Sequence, residues 1–539
     1  YRLTDGLSAD RFRTLVEAAL PSVRLWPEPL PPQRRQARQL LDRHQALTAI
    51  HRPETSEQLQ QARHRLVFDE FLLLQLGLMQ RRAALRQRAA PSLRIASDRD
   101  GLLARFLDNL PFQFTGAQTR VLAEIDEDLE RSEPMARLVQ GDVGSGKTVV
   151  AVAALLKAIQ AGWQGAMMAP TEVLAEQHYR SLCQWLPPLH VTVELLTGST
   201  PLKKRRQLLA DVASGGCKVL VGTHALLEDP VAFERLGLVV VDEQHRFGVR
   251  QRNRLLGKGL QPHLLTMTAT PIPRTLALSL HGDLDVSQID ELPPGRTPIL
   301  TTMLAGSERD QAYSVIREEV EKGQRAYVVL PLVEESEKMD LRSAVDVHRQ
   351  LEEEEFPDLK VGLLHGRLPS AEKQAVIQAF ARGETQVVVS PTVVEVGVDV
   401  PEASVMMIDH ADRFGLAQLH QLRGRVGRGA AASRCLLIND SRNPLARQRL
   451  EVLVRSTDGF EIAEMDLRLR GPGQVLGTRQ SGLPDLALAS LADDGSVLEE
   501  ARDEAADILR NDPDLNNHPV LRCLLDDQRN RVTSAAQLN

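Results

Sequence analysis

The chain has 539 residues, too many for one hydrophobic core, and its 42% apolar and 25% charged content is that of ordinary globular domains. Four cysteines (Cys183, Cys217, Cys435, Cys523) stand far apart with no CxxC pair, which excludes a zinc ribbon or a disulfide framework and suits a reducing cytoplasm. The net charge of −7 hides an asymmetry: residues 1–100 carry 17 arginines, no lysine and 11 acids, so the excess of acid lies entirely in the remainder. Such a basic arm suits a protein that tracks phosphates, and it equally suits solvated helix faces.

In chain order, the first hundred residues read as helical. Heptad-like apolar spacing runs through 58–90 and is closed by Pro91, while WPEPLPP (26–32) reads as a rigid connector. The longest apolar run, FLLLQLGLM (71–79), falls far short of the roughly 20 residues that span a bilayer, so no membrane partner is expected.

From about residue 110 short apolar strands alternate with amphipathic helices. The strands read 136–140, 165–170, 191–196, 218–222, 236–243 and 263–270. A linker near 285–297, containing ELPPGRTP, separates them from a second series at 298–304, 326–332, 360–366, 385–391, 404–410 and 434–440. Continuous apolar strands divided by helices imply parallel sheets covered on both faces, hence two tandem α/β domains. A charged helical stretch then leads to glycine-rich RGPGQVLGTRQSG (470–482) and a polar helical tail. The expected division is 1–105 helical connector, 106–288 first α/β domain, 297–445 second α/β domain and 446–539 C-terminal domain.

GDVGSGKT (141–148) matches GxxxxGK[ST] between a strand and a helix, the context that a phosphate-binding loop requires. Gly141, Asp142, Val143, Gly144, Ser145 and Gly146 form the loop, whose backbone N–H groups and helix N-terminus suit phosphates. Lys147 is expected to reach the β/γ-phosphates of ATP, and the Thr148 hydroxyl to ligand Mg²⁺. VVVDEQH (239–245) is an apolar strand ending in two acids, of which Asp242 would hold Mg²⁺ and Glu243 would orient or deprotonate the attacking water. Upstream, Gln118 in LPFQFTGAQ (110–118) can read an adenine edge while Phe112 or Phe114 stacks on the ring. A helix cap at Thr115 over core phenylalanines accounts for the same residues.

QLRGRVGRG (421–429) places Arg425 and Arg428 three apart, with Gly424 and Gly427 clearing room for a phosphate and Gln421 at the nucleotide. These residues belong to the second α/β domain. ATP on the phosphate loop of the first would then draw the two together, with both arginines acting as fingers.

Taken in order, GDVGSGKT, MAPTEVLAEQH, VGTHALL, DEQHRFGVRQR, MTATPIPRT, LHGRL, VVVSPTVVEVGVDVP and RFGLAQLHQLRGRVGRG are similar to the motif set of helicase superfamily 2. With DLRLRGPGQVLGTRQSG (466–482), similar to a translocation motif, they most resemble the RecG family. The transcription-repair coupling translocase shares this motor but is a much longer chain.

The resemblance implies two RecA-like domains and an ATP- and Mg²⁺-dependent helicase, or duplex translocase, acting on branched DNA in the cytoplasm. It further implies a monomer, with a single-stranded-DNA-binding protein as partner. Gln244 and His245 would couple the nucleotide to Thr268, Ala269 and Thr270. Pro170, Thr171, Thr197, Gly198, Thr223 and His224 would face the DNA backbone, and Thr392, Gly397 and Asp399 would do so or touch nucleotide. Arg449, Arg470 and Gln480 would form a coupling network. No five-strand barrel pattern precedes the first helices, so the family's OB-fold wedge is expected to be absent here. Pro391 stands where the family usually has a hydroxyl residue.

Overall fold

The computed structural model describes residues 8–87, 89–94, 101–243, 247–273, 284–293, 298–331, 337–391, 400–429, 431–470, 486–491 and 493–537. Its strands form two sheets, parallel throughout. The first is built from β1 (Ala136–Gly141), β2 (Gln164–Met168), β3 (Val193–Leu196), β4 (Val219–Gly222), β5 (Leu236–Val241), β6 (His263–Thr268) and β7 (Asp285–Ile289), in the order β3-β4-β2-β5-β6-β1-β7. The second is built from β8 (Leu300–Ala305), β9 (Arg325–Val329), β10 (Val361–Leu363), β11 (Val387–Ser390), β12 (Ala403–Ile408) and β13 (Arg434–Asn439), in the order β10-β11-β9-β12-β13-β8.

Alternation along the central strands explains why both sheets are covered on two faces. Val139, Met167 and Val240 enter one core of the first sheet, and their neighbours Leu138, Met168 and Val239 enter another. Tyr327 and Met406 divide from Val328 and Met407 in the same way across the second sheet. Strands buried on both sides have no polar face to show, hence the unbroken apolar runs.

Six helices matter for the site: α1 (Gly116–Glu130), α2 (Lys147–Gln160), α3 (Glu172–Trp185), α4 (Leu416–Arg423), α5 (Pro444–Arg455) and α6 (Gly459–Arg470). Of these α2 is the most enclosed, its Val149–Ala158 stretch being buried throughout.

The expected linker at 285–297 is corrected at its start, where 285–289 forms β7, paired in parallel with β1. As an edge strand with an alternating pattern, DVSQI lacks the apolar run that marked the others. Pro391 follows the last residue of β11.

By their contacts the described residues divide into two compact units, one drawn from 8–85 and 486–537 and the other from 86–273 and 284–469. This differs from the division expected at 105 and 446. Helices α5 and α6 join the second sheet's core through Leu450, Leu453 and Ile462, because their apolar faces meet Leu419 and Leu422 of α4.

In the other unit, several arginines of the N-terminal hundred residues are bound to carboxylates, Arg34, Arg38, Arg63 and Arg65 among them. Arg65, fully buried on helix Ser56–Arg86, donates to Glu28, Asp69 and the Leu41 carbonyl. Arg34 and Arg38 share Glu504, and Arg63 forks onto Asp494. The buried Arg65 guanidinium and the buried Glu504 and Asp494 carboxylates must be paired, so these contacts hold helices together instead of gripping a phosphate track. Among the described residues no helix is long and apolar enough to cross a membrane.

Candidate nucleotide site and nucleic-acid face

The phosphate loop leaves the C-terminal end of β1 and turns into α2 at Gly146, whose φ of +86° suits only glycine at low cost. Lys147 opens the helix, with Thr148 in its first turn. The Lys147 ammonium donates to the carbonyls of Gly141 (2.7 Å) and Asp142 (2.8 Å). Burial pushes its pKa down to about 8, against the pull of Asp242, Glu243 and Asp142, and Arg428 lowers it further.

The sign of that shift makes a prediction about binding. Near pH 8 about half of the Lys147 amines are neutral before phosphate arrives. Phosphate charge stabilises the ammonium, so nucleotide binding at pH 8–9 is expected to take up a proton, up to about half a proton per site at pH 8. At pH 6.5 the amine is charged throughout and uptake vanishes. Calorimetry in buffers of different ionisation enthalpy measures this, and equal uptake at both pH values would refute it.

Asp242 and Glu243 follow β5. The Asp242 N–H pairs with the Met168 carbonyl (2.9 Å), one carboxylate oxygen accepts from Glu243 N–H (3.0 Å), and the other meets His178 Nε2 at 2.8 Å. Burial raises the Asp242 pKa, but the His178 hydrogen bond and nearby positive charge outweigh it and hold the acid below its ordinary value. Glu243 goes the other way, raised by burial and by Asp242 beside it. Its backbone is left-handed, with a φ of +50°, a strained conformation that aims the side chain at the end of β6. There its carboxylate lies 3.5 Å from both the Thr268 hydroxyl and Ala269 N–H, and the Thr268 and Thr270 hydroxyls are 2.8 Å apart. Gln244 and His245 lie outside the described residues.

From the second sheet, Arg425 and Arg428 sit on the turn beyond α4, and their charges reach this site. Arg425 feels Glu243 and Asp242, and Arg428 feels Lys147. Gln421 lies within α4. Gly424 does not clear space for a phosphate as expected: a Cβ there would lie 2.8 Å from Val143 Cβ, so it is bare because the phosphate loop packs against it. Gly427 likewise abuts Ile299.

Gln118 is 2% exposed and satisfies both readings of its region in part. Its carbonyl oxygen accepts from Thr115 N–H in a capping box, while its amide nitrogen donates to the Ser145 carbonyl at 2.8 Å. Both amide atoms therefore tie α1 to the phosphate loop, and each keeps a second hydrogen-bonding position, a lone pair on the oxygen and an N–H on the nitrogen. Phe112 is exposed and Phe114 packs on the first sheet's core, and both line a cavity of about 470 Å³.

The expected DNA-facing residues divide by exposure. Gly198 and His224 are exposed and Pro170 is half-buried. Thr171 caps α3 by accepting from Leu174 N–H. Thr197 and Thr223 are 4% and 1% exposed, and the Thr197 hydroxyl turns onto Ser199 and Thr200. Arg449 on α5 donates to the Asp412 carbonyl (2.7 Å). Thr392, Gly397, Asp399, Gln480 and the Arg470 side chain lie outside the described residues.

Two buried histidines were missed in the sequence, His178 against Asp242 and His420 against Asp142, the latter at 2.9 Å. Each pairs with a residue remote in the chain, and no spacing rule could have joined them.

Three stretches match known family descriptions: DEAD/DEAH box helicase at 115–278, helicase conserved C-terminal domain at 310–430, and ATP-dependent DNA helicase RecG, domain 3, C-terminal at 456–531. The chain is 57% identical over 525 residues to the ATP-dependent DNA helicase RecG of Synechocystis sp., covering 97% of this chain and 63% of that one. Against the protein of the same name from Bacillus subtilis, identity is 46% over 513 residues, covering 95% and 75%.

Among solved structures, RecG bound to a three-way DNA junction is 41% identical with a TM-score of 0.73, covering 93% of this chain and 65% of that one. The helicase MrfA bound to DNA and AMPPNP, at 15% identity and a TM-score of 0.51 over 77% of this chain and 61% of its own, shares the fold alone. The chain thus spans less than two thirds of the length of its Synechocystis relative. With two RecA-like sheets in place and such identity sustained along nearly the whole chain, it belongs to the RecG family.

Proposed function

We propose that this chain is the motor of an ATP-dependent DNA helicase, a duplex translocase that acts on branched DNA such as stalled forks and Holliday junctions during repair and recombination. One observation carries the reading: Lys147, Asp242 and Glu243 of the first sheet share an electrostatic neighbourhood with Arg425 and Arg428 of the second. A phosphate held there touches both sheets, so its loss on hydrolysis changes what binds them together. A relative of 41% identity whose structure holds a three-way DNA junction supports the branched substrate.

In this reading Lys147 and the N-terminus of α2 hold the phosphates, and Arg425 and Arg428 neutralise charge that builds on them. Glu243, with its raised pKa, accepts the proton of the attacking water. The hard oxygens of Thr148 and Asp242, with Asp242 kept ionised by His178, are the donors that Mg²⁺ takes. Bound there, Mg²⁺ would supply charge neutralisation at the β- and γ-phosphates. Gly198, Ser199 and His224 offer the exposed face for the DNA backbone. Thr392, Gly397, Asp399, Gln421, Arg449, Arg470 and Gln480 keep the roles in nucleotide contact and coupling that the family resemblance assigns. The helical stretches 1–105 and 446–539 flank the motor. Among the described residues every strand belongs to one of the two sheets, so a wedge would be built from other residues. A monomer working in the cytoplasm beside a single-stranded-DNA-binding protein completes the proposal.

The test is displacement of the third strand of a triplex alongside DNA-stimulated hydrolysis. A protein that uses ATP only as a conformational switch would hydrolyse slowly and displace nothing. Because the proposed contacts go to phosphates, duplex affinity is expected to ignore sequence and to fall on the order of 10³-fold between 50 and 200 mM salt if about six phosphates are engaged. Affinity that stays flat over that range would contradict the proposed face.

A further inference from the structure

His420 lies at the C-terminal part of α4, buried, one residue before the run QLRGRVGRG, and nothing in that run accounts for it. Its two ring nitrogens make different bonds. Nδ1 is 2.9 Å from an Arg423 guanidinium nitrogen. Guanidinium only donates, so Nδ1 must present its lone pair, and the ring proton then resides on Nε2. That Nε2 lies 2.9 Å from the Asp142 carboxylate, which accepts from it. The tautomer is thus set by its partners.

Each partner leads to a different part of the motor. Asp142 is the second residue of the phosphate loop, and its own carbonyl holds Lys147. Arg423 is 3% exposed and donates to the carbonyls of Leu453 (2.9 Å), Ser456 (2.7 Å) and Thr457 (3.3 Å), where α5 ends and the chain turns into α6. The first residue of α6, Gly459, closes the arrangement, its N–H donating to the Asp142 carboxylate. A Cβ at Gly459 would lie 1.9 Å from that carboxylate, 2.6 Å from His420 Nε2 and 2.7 Å from Pro271 Cγ. Only glycine fits. Burial would raise the Asp142 pKa, but the hydrogen bond from His420 and the charge of Lys147 hold it below its ordinary value.

We propose that His420 is a positioning residue that clamps the phosphate loop of the first sheet to the α5–α6 turn of the second, with Nε2–H holding Asp142 and Nδ1 holding Arg423. The clamp rests on the nucleotide-site reading above. Its consequence is that the shape of the phosphate loop and the seating of α6 are set together, through one ring. Helix α6 leads into residues 471–485, which contain most of the glycine-rich motif.

The two bonds can be separated by substitution in the full chain. In His420→Asn the side-chain oxygen stands near the place of Nδ1 and can still accept from Arg423, but Asp142 loses its donor. His420→Gln carries its amide nitrogen out to the place of Nε2 and keeps Asp142, while Arg423 loses its acceptor. The expected results differ in kind. The Asn variant raises the KM for ATP by about tenfold, the scale of one charge-assisted hydrogen bond, and keeps its triplex displacement per ATP hydrolysed. The Gln variant keeps the parent's KM and loses displacement per ATP by a similar factor. Gly459→Ala, which drives a methyl into the clamp without touching the ring, shifts both.

Thermal unfolding within a few degrees of the parent shows that each variant is folded, and a collapse of Asn and Gln alike would make His420 a packing residue and overturn the proposal. So would Asn and Gln variants that match each other on both readouts. If Lys147→Ala hydrolyses ATP like the parent, the nucleotide-site reading has failed; if it is inactive and the two His420 variants agree, the clamp has.

Discussion

Lys147→Ala is expected to lower kcat/KM for ATP by about 10²–10³-fold, as loss of one buried, charge-directed phosphate donor costs roughly 2.7–4 kcal/mol. The structure explains why the loss is chemical and not structural. Lys147 makes no part of the apolar core; it donates to two loop carbonyls and its charge is opposed by burial. Removal of this cation relieves a burial cost but also takes the counter-charge from Asp242, Glu243 and Asp142; the two effects offset, so the melting temperature is expected to move by only a few degrees. Steady-state hydrolysis with a thermal melt on the same preparation checks both. Activity above about a tenth of the parent's would mean that the phosphates are held elsewhere.

Glu243→Gln is the second large effect, and it separates binding from turnover. The amide keeps the shape of the side chain and its place beside Thr268 and Ala269 but cannot accept a proton. Hydrolysis is expected to fall by roughly 10²–10⁴-fold, the usual yield of a positioned base, with ATP affinity near that of the parent. Because burial and Asp242 raise the Glu243 pKa, the parent's single-turnover rate rises with pH as this acid ionises. In the Gln variant that limb of the profile is absent. Loss of ATP binding in a nucleotide titration would instead make Glu243 part of the binding or metal framework.

The alternation of apolar strands with helices, the GxxxxGKT loop and the acid pair after a buried strand were legible in the sequence because each is a local pattern. Period, spacing and a special backbone need only neighbours in the chain. The ordered motifs carried the family for the same reason, and their order survived in two sheets of the expected kind. What only the tertiary structure decided are relations between residues far apart. Edge strand β7 has no apolar run of its own and is a strand because β1 offers it an open side. Thr197 and Thr223 look like phosphate contacts by type, and only the fold shows them to be 4% and 1% exposed. Four arginines that suggested a phosphate track meet Glu28, Asp69, Asp494 and Glu504, two of these more than 400 positions away. His178 and His420 read as ordinary helix residues until the fold brings Asp242 and Asp142 to within 2.9 Å of them. Burial and charge pairing are properties of the assembled core, and a sequence states its residues without stating which of them will meet.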